Sequence, residues 1–335
     1  MNILITTAGR RTYIIDYFKK ALEGIGRVIA VNSVYTYSLS HADDYLLVPS
    51  FYSENYVPTI LDICRTKNID AVISLLDADS KVLSEHHDEF KIHGISLIVS
   101  ESLVMDICND KWMSYKFLRS IGLPQPKTYD TIETVKRAIG DKEIGYPIII
   151  KPRWGIGSYG VFIVEDEQEL ILLSSKIRRE IMSTYMGVES LKDKERCVLF
   201  QEMIKGDEYG IEILNDLKGK YVTTFALKKL AMRSGETDVA ETVDALMFSD
   251  LSKCVANSLG HIGILDVDCM VTSENEIYII DMNCRFGGQY PFTHLANVNV
   301  PRQIVEWLMG KGNNKDLLTQ KNGVRSCKEL QPVLM

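Results

Sequence analysis

Between residues 2 and 99, short apolar runs alternate with amphipathic stretches, and this alternation limits the possible folds more than any other feature of the chain. The runs at 2–6, 28–32, 71–76 and 96–99 are too short for helices and rich in Ile, Val and Leu, with 45–48 as a weaker member. Between them, Ile14, Ile15, Phe18 and Leu22, and then Val57, Ile60, Leu61 and Cys64, recur at helical spacing. Strand and helix in alternation predict a parallel, doubly wound α/β sheet with ligands at the carboxyl ends of its strands. Gly9, Arg10 and Arg11 follow the first run, and Asp77 and Asp79 follow the run ending at Leu76, so all five fall on one rim. Arg10 and Arg11 read equally as a solvated helix start or as contacts for a substrate anion. Asp77 and Asp79 read as caps of a helix over 81–90 or as rim residues of a site.

A helical pattern over 106–121 stops at Gly122, Pro124 and Pro126, which marks a boundary. The run 146–152 then reads as a strand ending in Lys151-Pro152. It passes through Arg153-Trp154-Gly155-Ile156-Gly157-Ser158-Tyr159-Gly160 into a second strand at 161–164. Three glycines and Ser158 allow backbone N–H groups to close over an anion, and Lys151 adds a point charge. The Gly-x4-Gly-Lys-Ser/Thr spacing of a P-loop is absent, and a mobile hairpin lid over nucleotide phosphates fits better. A strand over 198–204 carries Gln201, Glu202, Met203 and Ile204 and turns toward Glu208. Its edge can offer backbone groups to a purine, and Glu208 can accept from ribose hydroxyls.

The run Ile277-Tyr278-Ile279-Ile280 leads into Asp281, Asn283 and Arg285 at alternate positions, so the three should share one strand face. Two oxygen ligands and one cation suit a hard metal ion carrying phosphate oxygens. The segment 228–237, with Lys228, Lys229 and Arg233, reads as a second loop over the site or as a solvated basic turn. His294 reads as a structural histidine rather than a proton carrier.

The net charge of −7 excludes a general nucleic-acid binder, so an anionic ligand needs local positive charge. No window reaches membrane-spanning length without charges. The seven cysteines form no Cys-x-x-Cys pair, and with no apolar leader at the first residues they predict reduced thiols and a cytoplasmic location. The glycines after the first run do not complete a dinucleotide fingerprint, which leaves an NAD-dependent oxidoreductase as a minor alternative.

Taken in order, these segments resemble the ATP-grasp superfamily, and within it proteins similar to the carbamoyl-phosphate synthase large subunit. The chain is too short for that complete synthase. The resemblance implies a pre-ATP-grasp α/β domain over 1–105, a small lobe with linker helix and glycine-rich lid over 106–205, and a large lobe with the metal site over 206–335. It implies Lys111 and Lys151 on phosphates, the 155–158 loop as lid, Gln201 to Ile204 as adenine hinge, and Glu208 on ribose. It implies Asp268, Asp281 and Asn283 as ligands of Mg²⁺ (or Mn²⁺), with Asp266 as rival to Asp268, and Arg285 with Lys151 as the catalytic cations. The family motif usually begins with Glu where this chain has Asp281. The implied activity is ATP-dependent ligation of a small-molecule carboxylate to an amine through an acyl phosphate, with a homodimer as family habit. A nucleotide-binding regulatory protein without ligation is the competing reading.

Overall fold

The computed structural model describes residues 1–155, 157–184 and 186–334. Its first sheet is built from β1 (Asn2–Thr6), β2 (Arg27–Asn32), β3 (Asp44–Leu47), β4 (Ala71–Ser74) and β5 (Ser96–Ile98). All five are parallel, in the order β3-β2-β1-β4-β5. β1 and β4 are almost wholly buried, as expected when helices cover both faces of a parallel sheet. Those helices are α1 (Thr12–Ala21), α2 (Tyr56–Thr66), α3 (Asp77–Ser84), α4 (His87–Ile92) and α5 (Ser102–Asn109).

The single helix expected over 106–121 is instead two, α5 and α6 (Lys111–Ser120). Asp110 adopts an extended backbone (φ −104°, ψ 103°), and its carboxylate accepts from the backbone N–H groups of Trp112 and Met113. A helix start needs such an acceptor, so Asp110 ends one helix and begins the next. Similarly, the helix expected over 81–90 is α3 and α4, separated at residues 85–86.

A four-stranded sheet follows, comprising β6 (Thr128–Tyr129), β7 (Ile148–Pro152), β8 (Phe162–Val164) and β9 (Val198–Glu202) in the order β6-β9-β7-β8. With α7 (Ile132–Gly140), α8 (Glu167–Met182) and α9 (Met186–Ser190) it encloses its own core around Val135, Ile148, Ile150, Leu170 and Phe200. The remaining strands form a six-stranded antiparallel sheet. They are β10 (Asp207–Asn215), β11 (Tyr221–Arg233), β12 (Glu236–Val243), β13 (Ile264–Val271), β14 (Ile277–Asn283) and β15 (Arg325–Cys327), in the order β14-β13-β10-β11-β12-β15. Helices α10 (Ser249–Leu259), α11 (Tyr290–Leu295) and α12 (Val300–Leu308) pack around it.

The first and third sheets share apolar cores. Leu4 and Val72 belong to one cluster with Ile211, Leu265 and Met282, and Ile5 and Phe18 to another with Leu214, Phe225 and Ile304. This packing holds the carboxyl ends of β1 and β4 against the end of β14. Residues 228–237, expected as a loop, are mostly strand: β11 and β12 form a hairpin that turns at Ser234–Gly235. All seven cysteines are free thiols. Among the described residues no helix is long and apolar enough to cross a membrane. Truncating Ile211, which is fully buried in the shared core, leaves a cavity. Ile211→Ala is expected to cost about 2–5 kcal/mol of stability in urea denaturation, and a cost below ~1 kcal/mol would contradict the shared core.

Candidate active site

β14 places the acidic motif through an irregularity in its pairing with β13. Asp266 lies opposite Asn283, Val267 opposite Met282 and Asp268 opposite Asp281, but Cys269 lies opposite Ile279, so Ile280 is an extra residue. Such a bulge reverses which side chains face the core. Ile279 is buried before it, and Met282 and Cys284 after it, all in one apolar cluster. Asp281 and Asn283 therefore turn to the other face, where they line a cleft with Asp266, Asp268 and Arg285. The bulge also frees the carbonyl of Ile280, which accepts from Lys151 Nζ at 3.2 Å.

The cleft measures about 160 Å³ and is lined also by Arg11, Asp77, Gly157, Ser158, Lys229, Glu236 and Gln289. It lies among the carboxyl ends of the parallel strands, the glycine-rich segment and the β11–β12 hairpin. Gly235 at the hairpin turn has φ +78°, and a Cβ there would lie 2.4 Å from the carbonyl oxygen of Gly157. Only glycine lets the hairpin approach the glycine-rich segment so closely. Ile156, within that segment, lies outside the described residues.

Each carboxylate in the cleft is matched by a cation from another element. Lys111 Nζ lies 2.9 Å from Asp281 Oδ1 and donates to the carbonyl of Gly155 at 3.1 Å. Burial works to raise the Asp281 pKa, but Lys111 and Lys151 together hold it below the ordinary value. Lys229 Nζ bridges Asp268 Oδ1 at 2.7 Å and Glu208 Oε1 at 2.8 Å. These two carboxylates overcome the effect of burial and raise the lysine's pKa. Arg285 reaches Asp77 through Nε at 2.9 Å and Asp266 through Nη1 at 3.1 Å. Its guanidinium is likewise held above its ordinary value despite burial, by Asp77 first and then Asp266. Asp266 also accepts from Gln289 Nε2, and burial with the neighbouring Asp268 pushes its pKa up to about 6.

Lys151 is different. Its ammonium donates to Gln201 Oε1 at 2.8 Å, and Gln201 Nε2 donates in turn to Thr128 at 2.9 Å. Burial lowers the Lys151 pKa to about 8, only partly opposed by Asp281. Lys151 and Lys111 share a narrow crevice with Gln201, Ile280 and Asp281. The start of α6 is tied to the glycine-rich segment by Arg153, which donates to Asp110 through Nε at 2.8 Å and Nη2 at 2.7 Å.

The expected site residues thus occupy two adjoining regions. Lys111, Lys151, Asp268, Asp281, Asn283 and Arg285 cluster around the end of β14, with Gly155, Gly157 and Ser158 beside them. Glu202 ends β9, and Met203 and Ile204 are half-buried in the connection to β10, which begins with Asp207 and Glu208. Asp77 and Asp79 do not cap α3, because Leu76 occupies the cap position. Asp79 accepts from Thr6, Thr7 and Ser74 hydroxyls at 2.5, 3.0 and 2.7 Å, a structural role, while Asp77 holds Arg285. Lys229 belongs to the carboxylate cluster and not to a loop. His294 stacks on Tyr17 with ring centroids 3.6 Å apart, and burial lowers its pKa to about 4. Gln289, Glu236 and the Asp110–Arg153 pair were not anticipated; each acts through contacts distant in sequence.

The donor set fits a magnesium ion that shares phosphate oxygens. Asp268, Asp281 and Asn283 supply two carboxylates and a carboxamide from facing strand positions. Among the described residues no group of three His, Cys, Asp or Glu forms a metal cage. Mg²⁺ usually takes one or two carboxylates and completes its shell with water and phosphate, which two carboxylates and a carboxamide suit.

Residues 108–289 match the ATP-grasp domain model, and residues 3–98 match the PylC-like N-terminal domain. The chain belongs to the ATP-grasp family. It is 23% identical over 285 residues to the arginine-specific carbamoyl phosphate synthase large chain of Halalkalibacterium halodurans, covering 80% of this chain and 25% of that protein. The large chain from Campylobacter jejuni is 23% identical over 233 residues, 67% of this chain and 20% of that one. The chain thus spans a quarter or less of the length of these relatives. Among solved structures it resembles a biotin carboxylase β,γ-ATP complex from Campylobacter jejuni, with TM-score 0.74, 19% identity, and coverage of 97% of this chain and 74% of that one. It also resembles an L-amino acid ligase from Bacillus licheniformis, with TM-score 0.73, 16% identity, and coverage of 96% and 78%.

Lys151 gives a signed stability prediction. Its pKa is lower in the folded protein than the ordinary 10.5, so the buried charge destabilises the fold below pH 8. That penalty fades as pH rises from about 8 toward 10.5, because the folded lysine is then neutral. Lys151→Met should therefore be more stable than the wild type by about 1–3 kcal/mol at pH 7, a gain that shrinks by pH 9.5. Urea denaturation at the two pH values checks this; a gain that grows with pH would contradict the assignment.

Proposed function

We propose that this protein is an ATP-dependent ligase that joins a small-molecule carboxylate to an amine or similar nucleophile through an acyl phosphate. The observation that carries this reading is the meeting, at the end of β14, of facing carboxylates Asp268 and Asp281 with Lys111, Lys151 and Arg285. Such a set matches the physical problem of bringing an anionic nucleophile to an anionic triphosphate. On this reading Lys111 and Lys151 hold phosphate oxygens, and the backbone N–H groups around Gly155, Gly157 and Ser158 close over them. The segment from Gln201 to Ile204 receives the purine, and Glu208 the ribose hydroxyls. Magnesium held by Asp268, Asp281 and Asn283 would neutralise charge on the phosphates.

In the first step a substrate carboxylate oxygen bonds to the γ-phosphorus, and the bond from that phosphorus to the β,γ-bridging oxygen breaks, releasing ADP. In the second, the amine nitrogen bonds to the acyl carbon and loses a proton, and phosphate leaves. On this reading Arg285, held by Asp77 and Asp266, meets the transferred group or the substrate carboxylate. Water must be kept from the acyl phosphate, a task suited to the glycine-rich segment and the hairpin it touches.

Lys151→Ala and Asp281→Ala should each lower ATP turnover by about 10²-fold or more while the protein stays folded by circular dichroism. Phosphate release measured with mixtures of carboxylates and amines is the readout. Full activity in either variant would remove the assignment. Release that ignores both co-substrates would indicate nucleotide binding without ligation.

A further inference from the structure

Three cations line the cleft: Arg11, Lys229 and Arg285. Lys229 and Arg285 each hold two carboxylates, as described above. Arg11 makes no ion pair with any described carboxylate. Its Nη1 donates to the carbonyl of Leu75, the residue after β4, and the hydroxyl of Tyr13 lies beside it. Asp77 also acts favourably on the Arg11 charge, but its Oδ2 accepts from Arg285, and its Oδ1, buried and without a hydrogen-bond partner, makes no ion pair with Arg11. Glu236, on the facing hairpin, is paired with Lys328 at 2.9 Å. Burial and the neighbouring Arg285 both disfavour the charge on Arg11. A guanidinium with five donors in such a place is left under-satisfied by one carbonyl and one hydroxyl.

The loop that presents Arg11 is firmly fixed. Thr7 N–H donates to Val31 O at 3.0 Å, Arg11 N–H to Ala8 O at 2.9 Å, and Ser38 Oγ to the Gly9 carbonyl at 2.8 Å. Thr7 and Gly9 have φ of 51° and 58°, so the chain makes a tight turn between β1 and α1. The guanidinium is thereby held at the carboxyl ends of parallel strands, the edge at which such sheets bind ligands. It follows β1 of the parallel sheet, whereas Lys111 begins α6 and Lys151 lies on β7, the two cations assigned to the nucleotide phosphates.

We propose that Arg11 binds a carboxylate of the substrate that is not the nucleotide, and so sets specificity for an anionic substrate. The planar fork of a guanidinium matches a carboxylate through two parallel hydrogen bonds, which a lysine cannot reproduce. The inference rests on the ATP-site reading above, since it assigns to a second substrate the part of the cleft that the nucleotide leaves free. A phosphoryl group offers the same anionic oxygens, and the test separates the two.

The experiment is calorimetry of glycine, L-glutamate, succinate and inorganic phosphate against wild type, Arg11→Gln and Arg11→Lys, each with saturating Mg²⁺ and AMP-PNP. At least one carboxylate should bind wild type and lose tenfold or more in affinity in Arg11→Gln, with a smaller loss in Arg11→Lys. The AMP-PNP dissociation constant should stay within twofold in both variants, which also shows that they are folded. Carboxylate affinity equal in all three proteins, or no carboxylate bound by wild type, overturns the proposal. Binding of phosphate alone, lost in Arg11→Gln, overturns the carboxylate assignment and gives Arg11 a phosphoryl group instead. Failure of the wild type to bind AMP-PNP counts instead against the ATP site itself.

Discussion

The ion pair between Lys111 and Asp281 is the contact on which the arrangement of the site depends. Asp281 stands opposite Asp268, and Asp266 and Asp77 are close by, so four carboxylates crowd one edge of the large sheet. Without cations from elsewhere their mutual repulsion would oppose folding there. Lys111 arrives from the start of α6, Lys229 from β11, and Arg285 reaches back to Asp77 at the start of α3. Buried ion pairs of this kind add little net stability, yet removal of one partner is costly because a charge is left alone. Their effect is to specify position: the cluster can exist only when elements of all three sheets meet.

Two local irregularities make that meeting possible. Asp110 interrupts what would be a continuous helix and so delivers Lys111 at the first turn of α6, while its carboxylate is clamped by Arg153 beside the glycine-rich segment. The bulge at Ile280 changes the parity of β14, carrying its apolar residues from odd to even positions and turning Asp281 toward the cleft. The same bulge exposes the carbonyl that receives Lys151. Both cost regular hydrogen bonding, and both place charged groups where regular elements would not.

Much of the fold was legible because local pattern governs it. The short apolar runs predicted the parallel sheet, and Lys151 with the following glycines predicted a strand, a turn and a strand. The alternation of Asp281, Asn283 and Arg285 pointed to one face, which holds after the bulge though not before it. What was missed depends on long-range register. Lys229 read as part of a basic loop, because nothing near it in sequence shows that β11 runs beside β10, which in turn pairs with β13. Asp77 read either as a helix cap or as a rim residue, and the sequence could not choose between them because its partner Arg285 lies far along the chain. Asp110 was hidden inside an apparently regular amphipathic stretch.

The proposed chemistry requires the triphosphate to bind at the end of β14. A crystal structure with Mg²⁺ and AMP-PNP tests it most directly. The triphosphate is expected within hydrogen-bonding distance of Lys111 and Lys151, with the metal on Asp268, Asp281 and Asn283. A triphosphate bound instead at the Gly9–Arg11 turn of the parallel sheet, or away from these carboxylates, would contradict it.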